Sequence, residues 1–333
     1  MTDARRRLVL ALAVALVVVA TAAYLVLQLR DRQDDAGPAA LDTPAQDASL
    51  FFRSTADATY GKVSYVDPGQ DQDAATATGR RCDRIDVLPD RTMVCMKAES
   101  SVLLRTHLTV VRPDGTAVDT WRVPGTPSRV RFSPDGRYVG STTFVEGHDY
   151  SSAAFSTSAS VHEVGGGDED LEDWTLVLDG KQVRPIDRNY WGITFVDDRR
   201  FYATLRTDGS TWLVRGDDRK RTLTTLRTDA ECPSLSPDGR RLVYKKRTGD
   251  NAAPWRLAVL DLRSGDERLL AETRSVDDQV EWLDDETVLY ALPHDDDLGR
   301  SDVWQVGIAE DAEPRLLLSN ATSPSVVDPE ATS

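Results

Sequence analysis

The residues able to do chemistry in this chain are few and scattered. It holds 4 histidines and 3 cysteines in 333 residues. A hydrolytic or transfer site needs a nucleophile or base beside an orienting partner, and no local spacing provides one. His162-Glu163 has no second histidine four residues on, so the helix face that grips zinc in metalloproteases is absent. Gly165-Gly166-Gly167 follows and argues for a flexible loop beside the acidic run Asp168-Glu169-Asp170. With no Lys-Ser or Lys-Thr after them, these glycines form no phosphate cradle. His294-Asp295-Asp296-Asp297 offers carboxylates to a hard cation. It lacks the alternating ligand spacing of a calcium loop and reads as a solvated insertion between strands. Asp277-Asp278 and Asp284-Asp285 flank Val280-Glu281-Trp282 and read as turn carboxylates capping backbone amides. No catalytic residue, metal ligand or cofactor site is assigned.

Charge narrows the partners. Lys and Arg total 40 against 55 Asp and Glu, a formal net charge of −15. Nucleic-acid binding needs a basic face, so no nucleic-acid partner is expected. At the N-terminus, Arg5-Arg6-Arg7 precedes an uncharged apolar run from Leu8 to Leu27, interrupted only by Thr21. That run is long enough to span a bilayer, and the arginines hold its start in the cytoplasm. Ala20-Thr21-Ala22 resembles a signal-peptidase site, so secretion after cleavage is the competing reading. Either way the remainder is extracytoplasmic. The expected order is a cytoplasmic arginine cluster and transmembrane anchor (or uncleaved signal) over 1–29, and a disordered linker over 30–58. A folded domain over 59–328 and a tail over 329–333 complete it. Within the linker, Leu50-Phe51-Phe52 reads as a short helical turn or a segment packed on the domain edge.

The folded part repeats itself. Phe132-Ser133-Pro134-Asp135-Gly136-Arg137-Tyr138 matches Leu235-Ser236-Pro237-Asp238-Gly239-Arg240-Arg241. Weaker copies are Val87-Leu88-Pro89-Asp90-Arg91, Phe195-Val196-Asp197-Asp198-Arg199 and Trp282-Leu283-Asp284-Asp285-Glu286, each followed by a β-rich run. Proline presets φ at the first central position of such a turn, and glycine takes its left-handed position. Trp174, Trp212, Trp255 and Trp304 recur at a parallel spacing. They are expected to pack between repeats rather than on ligands. Two hairpins per unit give four strands per unit, the pattern of a β-propeller. Five units are explicit. A sixth is expected from the two ends, with Pro324-Ser325-Val326-Val327 closing against Gly61–Val66. The long interval between Phe132 and Phe195 places the main insertion at about 146–173.

The Ser-Pro-Asp-Gly-Arg turns, with a later Trp-led strand and the turn Asp261–Gly265, resemble TolB-like propeller repeats. The resemblance implies an all-β, six-bladed propeller, here preceded by one transmembrane helix and a linker. Proteins of the TolB family proper carry an extra N-terminal α/β domain. This chain looks closer to the membrane-anchored TolB-like proteins of actinobacteria. Similar repeats occur in prolyl-oligopeptidase-type peptidases, but the Gly-x-Ser-x-Gly elbow they require is absent. Lyases with such propellers use several histidines around a metal, and His107, His148, His162 and His294 stand in unrelated contexts.

The function implied is a monomeric propeller that binds or scaffolds an envelope protein or glycan. An extracytoplasmic hydrolase or lyase with its site in the central funnel is the alternative. Loops at a propeller's mouths are free to vary, because its strands are committed to stacking blades. His148, Tyr150 and Phe155 in the insertion, and Trp191 at a strand entrance, are the candidate binding surface. Cys82 and Cys95 flank the Leu88–Arg91 turn and, in an oxidising compartment, read as a disulfide. Two buried thiols on adjacent strands are the other reading, and Cys232 stays free in both.

Overall fold

The computed structural model describes residues 17–19, 21, 50–66, 75–99, 104–145, 156–250 and 253–327. The chain divides into two units, Met1–Ala39 and Ala40–Ser333. Of the first, Val17–Val19 and Thr21 are helical, and Thr21 Oγ1 donates to the Val17 carbonyl at 2.8 Å. Among the described residues no helix is long and apolar enough to cross a membrane. The rest of the Leu8–Leu27 run lies outside them.

The second unit is built of short antiparallel strands. β1 (Leu50–Ser54), β2 (Lys62–Val66) and β3 (Thr76–Arg81) come first and are completed only by the far end of the chain. Blade 1 follows as β4 (Arg84–Val87), β5 (Met93–Ala98), β6 (Arg105–Val111) and β7 (Ala117–Pro124). Blade 2 is β8 (Thr126–Phe132), β9 (Tyr138–Val145), β10 (Ser156–Glu163) and β11 (Asp168–Asp170). A hairpin of β12 (Thr175–Leu178) and β13 (Lys181–Val183) precedes blade 3. That blade is β14 (Asn189–Phe195), β15 (Arg200–Thr207), β16 (Ser210–Asp217) and β17 (Thr222–Thr228). Blade 4 is β18 (Glu231–Leu235), β19 (Arg241–Arg247), β20 (Trp255–Asp261) and β21 (Glu267–Leu269). Blade 5 is β22 (Glu281–Trp282), β23 (Thr287–Pro293), β24 (Ser301–Gly307) and β25 (Arg315–Leu318). Finally β26 (Ala321–Val326) pairs with β1, giving blade 6 the order β26-β1-β2-β3. The innermost strands β4, β8, β14, β18, β22 and β26 follow one another around the axis. The result is a closed six-bladed propeller.

Closure differs in register from the expectation. Lys62–Val66 is the third strand of blade 6, and Leu50–Ser54 is the second, pairing Leu50 with Val326 and Ser54 with Ala321. Phe51 is fully buried beside Val63, Ile85 and Met93, between blades 6 and 1. The propeller thus begins by Leu50, ahead of the expected start at 59. Phe52 points the other way, into the seam with blade 5 beside Leu289, Val303 and Leu318, so the two phenylalanines in a polar stretch fill the seams on both sides of blade 6.

The insertion is also placed differently. Ser156–Asp170 supplies the regular third and fourth strands of blade 2, and Gly165–Gly167 is the turn between them. The extra elements are β12 and β13. They join blade 3 through a parallel pairing of β12 with β17, making that sheet six-stranded. Leu176 of β12 and Trp174 before it are buried against the same cluster as Phe201 and Leu223.

The repeated turns fold as their chemistry requires. In blade 2, Gly136 N–H donates to the Ser133 carbonyl at 2.9 Å, Ser133 Oγ donates to Asp135 at 2.6 Å, and Tyr138 N–H donates to Ser133 Oγ at 2.9 Å. Ser236, Asp238, Gly239 and Arg241 repeat the set in blade 4. Gly136 has φ 69°, and a Cβ there would sit 2.5 Å from Leu88. These turns lie at the ends of the first strands, so all occupy one face of the ring, the turn face. The loops between second and third strands, and the links from blade to blade, occupy the other, here called the loop face.

Candidate functional site: the central channel and the loop face

Alternation along β8 decides what lines the channel. Ser128, Val130 and Phe132 are buried in blade packing, while Arg129 and Arg131 between them turn toward the axis. Each meets a carboxylate of blade 5, the blade diametrically opposite. Arg129 Nη2 lies 3.4 Å from Asp278 Oδ1 and donates to the Asp277 carbonyl at 3.1 Å. Arg131 Nη2 lies 2.8 Å from Glu281 Oε2. Between these pairs Gln279 donates from Nε2 to the carbonyls of Ile193 and Pro233, at 3.1 and 2.8 Å. One side chain of blade 5 thereby ties to blades 3 and 4. Lys245 Nζ lies 2.5 Å from Asp277 Oδ1 and 4.4 Å from the centre of the Trp255 ring. The channel is plugged by ion pairs and hydrogen bonds.

Two carboxylates compete for Arg131. Asp86 accepts from Phe132 N–H at 2.7 Å and from Ser325 Oγ at 3.0 Å, while Glu281 accepts from Val326 N–H at 3.3 Å. Burial raises Glu281 to about 7, with Arg131 only partly countering it and Asp86 adding to the rise. Asp86 is raised by burial too. Near pH 7 Glu281 is therefore only partly ionised. Arg84, at the start of β4, makes no ion pair or side-chain hydrogen bond with any described residue. Burial and the neighbouring Arg129 charge bring it down to about 10.

The residues singled out from sequence fall elsewhere. His148, Tyr150 and Phe155 lie outside the described residues. Trp191 is on β14, opposite Thr204, and only 5% exposed, so its ring is enclosed by protein. The neighbouring Gly192 has φ 67°, and a Cβ there would come within 2.7 Å of Cys232 Cα, so blades 3 and 4 meet backbone to backbone. His162 is not in a loop. It is the penultimate residue of β10, fully buried, with Nε2 2.8 Å from Ser141 Oγ and its ring 5.0 Å from that of Trp121. Burial lowers it to about 4, so it is neutral. His107 pairs with Glu99 and His294 with Asp302, each at 2.9 Å. Among the described residues no group of three or more His, Cys, Asp or Glu is placed to hold a metal.

Asp284 caps the Glu286 amide as expected at 2.8 Å, but Asp277 and Asp278 belong to the channel. Their signal was the arginine pair flanking Val130 on an innermost strand. The tryptophans pack within and between blades, Trp174 against Phe201 at 5.5 Å and Trp304 beneath Arg274 at 3.8 Å. Cys82 and Cys95 are joined, with Cα atoms 5.5 Å apart. Cys82 stands before β4 rather than on it, and the strand partner of Cys95 is Ile85. The bond therefore fastens the link between blades 6 and 1 to the second strand of blade 1. Cys232 is free and buried.

No protein-family model matches the chain, and no curated protein matches it by sequence. Solved structures do match. TolB from Acinetobacter baumannii superposes with a TM-score of 0.59 at 16% identity, over 85% of this chain and 67% of that one. The fold is a TolB-like propeller. A chain of a nidogen–laminin complex gives 0.51 at 13% identity, over 85% and 99%. A Mycobacterium tuberculosis puromycin-hydrolyzing peptidase gives 0.50 at 15%, over 84% of this chain and 47% of that chain. At these identities the likeness is one of fold, and what the TolB-like propeller does rests on its own surface.

That surface is uneven. Tyr60, Leu104, Phe144, Ile186 and Leu298 are exposed large apolar or aromatic residues. All five stand on second-to-third-strand loops, strand ends or blade links of the loop face. Ile186 is 97% and Leu298 100% exposed. Among the described residues, the other exposed large apolar residues of the TolB-like propeller, Leu226, Leu269 and Leu316, are on the fourth strands of blades 3, 4 and 5.

Proposed function

We propose that this chain is an extracytoplasmic TolB-like propeller, held at the membrane by Leu8–Leu27, that binds an envelope protein through its loop face. The observation that carries the reading is the gathering of Tyr60, Leu104, Phe144, Ile186 and Leu298 on that face. Exposed apolar side chains collected on one side of a stable scaffold support protein docking over sugar binding. β9 ends at Val145 and β10 begins at Ser156 on the same face; His148, Tyr150 and Phe155, between them in sequence, lie outside the described residues and stay candidates from sequence alone. The plugged axis supports a surface role, because a funnel enzyme needs room for substrate between the innermost strands.

The test is crosslinking in the native envelope with three chains compared. One is wild type, one carries Tyr60→Ser, Ile186→Ser and Leu298→Ser, and one carries Leu226→Ser and Leu316→Ser on the fourth strands of blades 3 and 5. Loss of a discrete partner band from the loop-face variant alone is expected. An undiminished band there overturns the docking reading. Protease applied to intact protoplasts tests the topology, since removal of everything beyond Arg30 with the N-terminus retained is expected for an anchor. A mature N-terminus near Ala23 replaces the anchor with a cleaved signal.

A further inference from the structure

The loop face carries an open cleft of about 380 Å³ between blades 3 and 4, a size that takes small ligands and single side chains. Arg206 of β15 lines it from blade 3 and Arg247, the last residue of β19, from blade 4. Ser210, Thr211, Thr228 and Asp229 complete the wall. None of these residues is on an innermost strand, so the plug on the axis does not close the cleft.

Arg247 is held in place. Its Nε donates to Glu231 Oε1 at 2.9 Å, its backbone N–H donates to Asp229 Oδ1 at 3.2 Å, and its guanidinium lies 5.5 Å from the centre of the Trp255 ring. Glu231 is 1% exposed. A buried carboxylate thus fixes one edge of the guanidinium, and the Nη edge has no partner among the described residues. That edge is a planar fork suited to a carboxylate.

Arg206 is not neutralised. Among the described residues it makes no ion pair and no side-chain hydrogen bond. Asp187 feels its charge but is taken up by Thr207 Oγ1 and Asp208 N–H, each at 2.7 Å. The same two bonds place Ile186, 97% exposed, beside the hairpin that bears Arg206. In a chain of net charge −15, an unanswered cation next to an exposed apolar side chain is a local attractor for a negative group. Asp229 Oδ2 stands 3.8 Å from Lys246 Nζ, too far for a hydrogen bond, so it is left able to accept one.

We propose that the cleft receives an aspartate or glutamate side chain of the docking partner, with an apolar neighbour of that residue resting on Ile186. The carboxylate meets Arg206 and the open edge of Arg247, the Thr211 hydroxyl adds a donor, and a peptide N–H of the partner donates to Asp229. The proposal rests on the docking reading and names the chemistry of its partner. A sugar acid shares the charge, but no aromatic side chain lines the cleft to cover the apolar face of a sugar ring.

Calorimetry on the full-length chain tests it, with the peptide N-acetyl-Leu-Glu-Leu-amide as probe. This peptide is expected to bind at least tenfold more tightly than its Gln analogue, and Arg206→Gln to remove that preference. Arg206→Gln gives up no ion pair and is expected to melt with wild type, so lost binding is not lost folding. Tighter binding of glucuronate overturns the proposal in favour of a sugar acid, and equal affinity for inorganic phosphate in favour of an ordinary anion site. Absence of peptide binding, or binding unchanged in Arg206→Gln, overturns it outright. In the envelope crosslinking, a band lost from the loop-face serine variant but kept in Arg206→Glu overturns this proposal and leaves the docking reading standing. A band kept in the serine variant overturns docking whatever the peptide does, so the two readings fail separately.

Discussion

Arg131 and Glu281 meet at 2.8 Å although they belong to blades on opposite sides of the ring. The pair crosses the axis, and Asp86 of blade 1 stands close enough to compete for the same guanidinium. Neighbouring blades are joined by packing and by hydrogen bonds such as Phe132 N–H to Asp86, whereas this contact ties blades that share no interface.

The stability contributed by the channel acids should fall as pH rises through the acid-to-neutral range. Glu281 ionises near its ordinary 4.5 when unfolded and at about 7 when folded. Between those values the folded protein keeps a proton that the unfolded chain has released, so stability declines with rising pH. Asp86, raised by burial, acts in the same direction. Arg129, Arg131 and Asp278 also face the site, and the two arginines, raised by the neighbouring carboxylates against their burial, stay charged across the window. His162, held neutral by burial, acts in the opposite direction over this window, so in a His162→Gln background thermal melts are expected to show a lower Tm at pH 8 than at pH 5. Glu281→Gln should narrow that difference, and an unchanged slope in the variant would exclude Glu281 as its source.

A chain beginning at residue 59 should fail to fold, whereas one beginning at Asp47 should fold. The shorter chain lacks β1, and with it Phe51 and the partner strand of β26. Phe51→Ala in the full chain is expected to cost about 3–5 kcal/mol. Urea melts followed by circular dichroism give both answers.

How much of this was legible beforehand varied with distance along the chain. The Ser-Pro-Asp-Gly turns were readable because proline, aspartate and glycine act on their own backbone. Blade count followed from their recurrence. The closing strand Leu50–Ser54 was harder, because its partner lies at the other end of the sequence and no turn announces it. Asp168–Asp170 read as loop, yet pairing with β10 overrides the low strand preference of acidic residues. Arg129 and Asp278 carry no local sign of each other. Only the ring brings them together, which is why the aspartates looked like turn caps.

Reduction of the Cys82–Cys95 bond should destabilise the propeller by about 3 kcal/mol, the value typical of a loop near its 13-residue separation. Melts with and without dithiothreitol measure it. Cys82→Ser should match the reduced wild type and lose further sensitivity to reductant.

Leu176→Ala tests whether the added hairpin is structural. Leu176 is 1% exposed in the cluster of blade 3, so about 2–5 kcal/mol of destabilisation is expected. A change below 0.5 kcal/mol, roughly the effect of an ordinary surface substitution, would show β12 to be a passive flap.

The pairing of β26 with β1 sets a constraint on the ribosome. Every residue between Ser54 and Ala321 must be made before the ring can shut, which at 5–20 residues per second takes on the order of tens of seconds. Throughout that interval β1 presents one bare edge with Leu50, Phe51 and Phe52 on it, an invitation to pair with any passing strand. A slowly translated C-terminus would lengthen that exposure, and with it the chance of mispairing between chains.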